Sequence, residues 1–180
     1  MFRVTGVAAG DMLNMRAAPD AGAEKVGALP PGAAGIEVVE LGSGGRWGRI
    51  NMAEGSGWVA MRYMAHAGGP DWHRLEAPLS CYGTEPFWRL TIAPGAGGML
   101  LERMGAAALG LGRRVTSPAF DRPRTVGFSA AGAEREGFGV IRAETCSDGM
   151  SDRVMGLSFR MFLVGPDGME SYLGCCTLER

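Results

Sequence analysis

The residues equipped for chemistry are few and scattered. Glu85, Asp148 and Asp152 could be drawn as a general acid and base, a role that needs carboxylates in environments that push their pKa values apart. Their spacing does not demand it. Asp148 stands before Gly149 as a turn residue does, and Glu85 before Pro86 is placed to cap or to meet an arginine. A cysteine nucleophile needs a base beside it, and the two histidines, His66 and His73, lie in an aperiodic stretch ahead of Cys81. Neither histidine has a thiolate or carboxylate at a recognisable metal-ligand spacing. There is no G-x-S-x-G elbow, and the run Gly95-Ala96-Gly97-Gly98 lacks the lysine and following helix of a phosphate loop. Twelve methionines would suit a cuprous ion as thioether donors. Met12, Met15, Met61, Met64, Met150, Met155 and Met161 are dispersed, however, as adaptable core filling would be. No metal, no cofactor and no catalytic residue is expected, and the chain reads as a binder rather than an enzyme.

Candidate contact residues fall into two groups. In the first half Trp47, Trp58 and Tyr63 could form a rigid, amphipathic aromatic surface, the competing reading being half-buried scaffold. Asn14 and Arg16 read as turn and strand-edge supports. In the second half Glu85, Trp88, Asp148, Met150, Asp152 and Arg153 set polar groups beside an aromatic, as at the mouth of a barrel.

These residues must be carried by strands. The 180 residues are 46% hydrophobic and 21% charged, which describes a folded chain, and thirty glycines with ten prolines imply many tight turns. Apolar runs at 4–7, 13–15, 26–29, 36–41, 47–50 and 58–60 are separated by Pro19-Asp20, Pro30-Pro31-Gly32, Gly42-Ser43-Gly44-Gly45 and Gly55-Ser56-Gly57. Leu13 and Met15 alternate with Asn14 and Arg16, the period of a half-buried strand. Residues 66–78, with Gly68-Gly69-Pro70, read as a linker. Beyond it Trp88, Leu90 and Ile92, then Phe138, Val140, Arg142 and Glu144, then Leu157, Phe159, Met161 and Leu163 alternate again. Gly165-Pro166-Asp167-Gly168 signals a hairpin. The expected fold is all-β: a small barrel over 1–65, the linker, and over 79–180 an antiparallel meander or barrel, whose closure would remove its edges.

Two resemblances sharpen this reading. Asp11-Met12-Leu13-Asn14-Met15-Arg16-Ala17-Ala18-Pro19 resembles the opening signature of bacterial SH3 domains, and Val26–Gly32, Gly45–Ile50 and Gly55–Ala60 resemble its later strands. The resemblance implies a barrel of five or six strands, used to attach extracytoplasmic proteins to cell-wall peptides or other partners. Cys81-Tyr82-Gly83-Thr84-Glu85-Pro86-Phe87-Trp88, Cys146-Ser147-Asp148-Gly149-Met150-Ser151-Asp152 and the closing Gly174-Cys175-Cys176 resemble a family of uncharacterised bacterial envelope proteins and lipoproteins. That likeness implies location and fold but no activity.

Four cysteines permit three pairings. Neighbouring residues on a strand point to opposite faces, so Cys175 and Cys176 should bridge in different directions. Cys146 with Cys175 and Cys81 with Cys176 is the favoured scheme, the others remaining open. Disulfides persist outside the reducing cytosol, so a periplasmic or cell-envelope location is expected. Met1-Phe2-Arg3-Val4 runs directly into strand-like sequence, as if a leader had stood before it. With a net charge of −1, nucleic acid and anionic lipid are not expected partners, and no apolar run is long enough to span a bilayer. The sequence supports an extracytoplasmic binding or scaffold protein. Its SH3-like domain would engage a peptide or cell-wall component, and the second domain a small ligand or partner. An envelope hydrolase with an SH3-like targeting module and a purely structural envelope component are the alternatives, and the sequence assigns no oligomeric state.

Overall fold

Short alternating segments broken by glycine can satisfy their backbone groups only by pairing with one another, and the computed structural model is built almost wholly of antiparallel strands. It describes residues 1–53, 55–118, 124–132 and 134–179, leaving out the side chains at 114, 115 and 118. The chain divides into two units: Met1–Gly69 with Ser151–Val154, and Pro70–Met150 with Met155–Arg180.

In the first unit, β1 (Phe2–Val4) pairs with β7 (Met64–His66). β2 (Leu13–Arg16), β3 (Lys25–Leu29), β4 (Glu40–Leu41), β5 (Trp47–Asn51) and β6 (Ser56–Ala60) form a sheet in the order β3-β2-β6-β5-β4. The architecture is SH3-like, with one more strand than the upper expectation. The run 36–41 does not form one strand. Ile36 bridges to Phe2, whereas Glu40 and Leu41 pair with β5, so the two ends of the run serve different partners. Alternation buries Leu13, Met15, Ile50 and Val59, which join Val4, Ile36 and Met64 in one core. Gly48 lies where a Cβ would come 2.5 Å from the Met61 sulfur and 2.9 Å from Val38, so only glycine lets these side chains close over β5. Asn51 secures the segment Ser151–Val154, donating from Nδ2 to the Val154 carbonyl at 2.7 Å and accepting from the Val154 amide at 3.1 Å.

The second unit closes completely. β8 (Leu79–Thr84), β9 (Phe87–Ile92), β10 (Met99–Arg103), β11 (Leu109–Pro118), β12 (Thr125–Gly132), β13 (Arg135–Cys146), β14 (Met155–Gly165) and β15 (Gly168–Leu178) form an eight-stranded antiparallel barrel, β15 pairing back onto β8. At eight strands an interior is just wide enough to be filled by side chains, and the described inward residues pack there as one apolar core. Leu90, Ile92, Leu101, Ile141, Phe159, Met161 and Leu163 are fully buried within it. Where Phe128 crosses the interior, its ring occupies the space a side chain at 139 would need, a Cβ there falling 2.4 Å from the ring. Hence β13 turns Gly139, Ile141 and Ala143 inward, and Phe138 lies outside, 59% exposed.

Two disulfides tie the barrel, Cys81 to Cys176 across β8 and β15, and Cys146 to Cys175. Residues 66–78 are not uniformly a linker: a 3-10 turn forms at Trp72–Arg74, and Leu75 and Ala77 are buried. Leu75 belongs to the barrel core, and the Gly95 amide donates to its carbonyl at 3.0 Å, because an apolar residue beside an open barrel end is stabilised by entering it.

Candidate functional site

In the first unit the loop before β2, β2 itself, β5 and the turn Met61–Tyr63 surround a half-open groove of about 360 Å³. Asn14 and Arg16 reach it from the outward positions of β2, left over once Leu13 and Met15 have turned into the core. Trp47 lines it from β5, and Arg62 and Tyr63 from the 3-10 turn, while Asp11 stands at the loop before β2. Arg62 carries its guanidinium over the Tyr63 ring, 4.8 Å from the centroid. Among the described residues it makes no ion pair. Arg16 is committed differently: its Nη1 donates to the Ala23 carbonyl at 2.9 Å and so braces the loop between β2 and β3. The Asp11 carboxylate accepts the Met12 amide at 2.7 Å. The groove thus offers two aromatic faces, an amide and a cation held by stacking rather than by a carboxylate, a combination suited to amphipathic ligands with acceptor groups.

Of the three aromatic candidates in this half, the structure brings Trp47 and Tyr63 to the groove. Trp58, paired opposite Arg16 and Arg49, is half-buried and lies outside the groove's lining, with the Arg49 guanidinium 5.9 Å from its ring. Arg62 was not singled out by sequence reasoning. Its only signal was its place between Met61 and Tyr63, after a strand whose hydrophobic alternation ends.

The six candidates in the second half do not form one surface of the barrel. Trp88 points inward, 6% exposed, in ring contact with Phe159 at 5.3 Å and Tyr172 at 5.5 Å. It is scaffold because the strand alternation that buries Leu90 and Ile92 buries it as well. Asp152 and Arg153 are exposed in the segment assigned to the first unit. Glu85 and Met150 are exposed, and the Asp148 carboxylate accepts the Met150 amide at 3.0 Å, a turn-forming bond. Thr84 donates to the Asp148 carbonyl at 3.4 Å, which brings the β8–β9 hairpin and the loop after Cys146 together.

Inside the barrel a polar cluster went unforeseen. Glu170 accepts from the Tyr172 hydroxyl, from Arg135 at 2.8 Å and from Arg103 at 3.1 Å. The Tyr172 hydrogen bond and the two guanidinium charges hold the Glu170 carboxyl below the usual range despite partial burial. Burial, together with its bond to Glu170, pushes the Tyr172 phenol up. This arrangement binds β10, β13 and β15 to each other; Arg135 also reaches the Asp167 carboxylate at 3.3 Å, and the buried Arg103 Nε has no hydrogen-bond partner among the described residues. Sequence patterning missed it because Arg103, Arg135 and Glu170 occupy inward strand positions where apolar residues are expected.

His73 Nε2 lies 3.4 Å from the Asp71 carboxylate, and His66 stacks edge-on against Phe2 at 5.2 Å. No group of three metal-ligating side chains occurs among the described residues. With all four cysteines in disulfides, a thiol nucleophile is unavailable to the oxidised protein.

Residues 11–65 match the family model of the bacterial SH3 domain, so this stretch of the first unit is a bacterial SH3 domain, a class that suggests a binding or targeting module. No curated protein and no solved structure matches the chain. The disulfides and the SH3 domain are compatible with an extracytoplasmic location, and no helix is long and apolar enough to cross a membrane.

Proposed function

We propose that the protein is a binding protein of the periplasm or cell envelope. Its SH3 domain takes a peptide or cell-wall component in the groove beside Trp47 and Tyr63, and its disulfide-bridged barrel serves as a rigid carrier. One observation supports this above the rest: the groove joins Trp47, Tyr63, Asn14 and Arg62 in a single concavity of about 360 Å³. Concave sites with aromatic walls and a few convergent polar groups are where ligands bind. A stem peptide or muropeptide supplies what these groups recognise, amide carbonyls and carboxylates for Asn14 and Arg62 and aliphatic carbon for the two rings. The described inward residues of the barrel pack as an apolar core, which supports giving the ligand role to the SH3 domain.

Equilibrium titration of the full oxidised chain with purified muropeptides tests the reading. Wild type binds, Trp47→Ala loses about tenfold or more in affinity, a little over 1 kcal/mol, and Trp58→Ala, outside the groove, keeps wild-type affinity. Equal affinity for wild type and Trp47→Ala, or no binding to muropeptides or whole peptidoglycan, contradicts it.

A further inference from the structure

The outer face of the barrel over β13, β14 and β15 carries an apolar patch that neither the interior nor the groove explains. The ladder fixes its layout in three rows across the strands: Glu136, Val164 and Met169; then Phe138, Phe162 and Ser171; then Val140, Arg160 and Leu173. Outward strand positions of a soluble barrel are normally polar. Here Phe138 is 59%, Val164 52%, Met169 69% and Leu173 55% exposed. Phe138 and Phe162 pack ring against ring at 5.7 Å, forming a continuous aromatic ridge along the middle row. Contiguous apolar surface of this kind marks an interaction site.

The charges in the patch identify the occupant. Glu136 sits in the row on one side of the ridge and Arg160 in the row on the other, and among the described residues neither makes an ion pair. We propose that this face is an isologous interface with a second copy of the chain. A two-fold axis lying along the Phe138–Phe162 row reverses the strands of the second copy, so each copy's Glu136 row faces the other's Arg160 row. Phe138 then meets Phe138 and Phe162 meets Phe162. Arg160 of each copy faces Val164 of the other, one strand spacing from the other's Glu136 and within the reach of a guanidinium. The patch is therefore self-complementary in both apolar surface and charge, which a two-fold interface requires. A lipid face would not place a carboxylate beside the ridge, and a sheet face packing on its own copy adopts the aligned geometry of a β-sandwich.

Sedimentation velocity of the full oxidised protein from micromolar to near-millimolar concentration is the test. Wild type shifts from monomer to dimer across the series, and Phe138→Glu, an outward position that leaves the core untouched, weakens dimerisation by about tenfold or more. Glu136→Arg and Arg160→Glu each weaken it, and the double reversal recovers most of the loss because the same pair forms with its signs exchanged. The wild-type series needs no variant, and circular dichroism of each variant confirms its fold. A monomer throughout the range overturns the proposal, as does a dimer insensitive to Phe138→Glu or a double reversal no better than the single ones. Co-flotation of monomeric wild type with phosphatidylglycerol vesicles, lost in Phe138→Glu, would assign the face to lipid and equally overturn it.

Discussion

Arg16 and Arg62 face the same groove with opposite duties. Arg16 spends its guanidinium on the Ala23 carbonyl, whereas Arg62 is exposed, stacked on Tyr63 and in no ion pair among the described residues. Arg16→Ala therefore lowers the melting temperature more than it lowers muropeptide affinity. Arg62→Ala does the reverse, leaving stability within about 0.5 kcal/mol of wild type, as exposed substitutions do, while reducing affinity severalfold. Thermal melts and titrations of the two variants, run side by side, check the contrast. Equal effects of both substitutions on affinity would show that Arg16 contacts ligand directly. Glu170 is a residue-scale case of another kind. Its carboxyl is held below the usual range, so the stability it contributes is fully present above the ordinary glutamate value and is lost as pH falls through that value towards the folded one. The melting temperature of Glu170→Gln should lie below wild type at neutral pH, where Arg103 and Arg135 lose their shared counter-charge, and the gap should narrow as pH falls through and below the ordinary glutamate range. A constant gap across that range would contradict the role given to Glu170.

At the scale of elements, β13 is governed by what faces it. Gly139→Ala sets a Cβ against the Phe128 ring and should cost about 1–3 kcal/mol as overpacking, read as a lowered midpoint in denaturant unfolding with the slope unchanged. An unchanged midpoint would mean that Phe128 yields freely. The same strand shows what patterning could convey. Phe138 and Val140 alternate correctly, so the strand was legible, but apolar character alone assigns the wrong face when glycines line the interior and an aromatic ridge lies outside. Leu13 and Met15 were legible because their outward neighbours, Asn14 and Arg16, are polar. The segment 66–78 was not, since a single leucine entering a barrel end leaves no periodicity. Trp47 and Tyr63 were legible as residue types, but their meeting depends on the fold of β5 against the Met61–Tyr63 turn, which no local spacing encodes. Arg103, Arg135 and Glu170 were hidden for a related reason: three inward charges from three strands compensate one another only after the barrel closes.

For the whole molecule, closure and covalent ties matter most. The Cys146–Cys175 bridge spans 29 residues and the Cys81–Cys176 bridge 95, so both restrict the unfolded chain strongly. Replacing Cys146 and Cys175 together by serine should destabilise the barrel by about 2–4 kcal/mol, a loss seen in denaturant unfolding of the second unit's transition, while the SH3 domain keeps its muropeptide affinity. Loss of that affinity in the doubly substituted protein would show that the barrel takes part in recognition. The central claim, that recognition resides in the SH3 groove, is tested most directly by following the tryptophan indole N–H resonances of the full oxidised chain as muropeptide is added. The account predicts a saturable shift at Trp47 with Trp58 and Trp88 unmoved. A shift confined to Trp88, or saturable binding that leaves Trp47 unmoved, would contradict it.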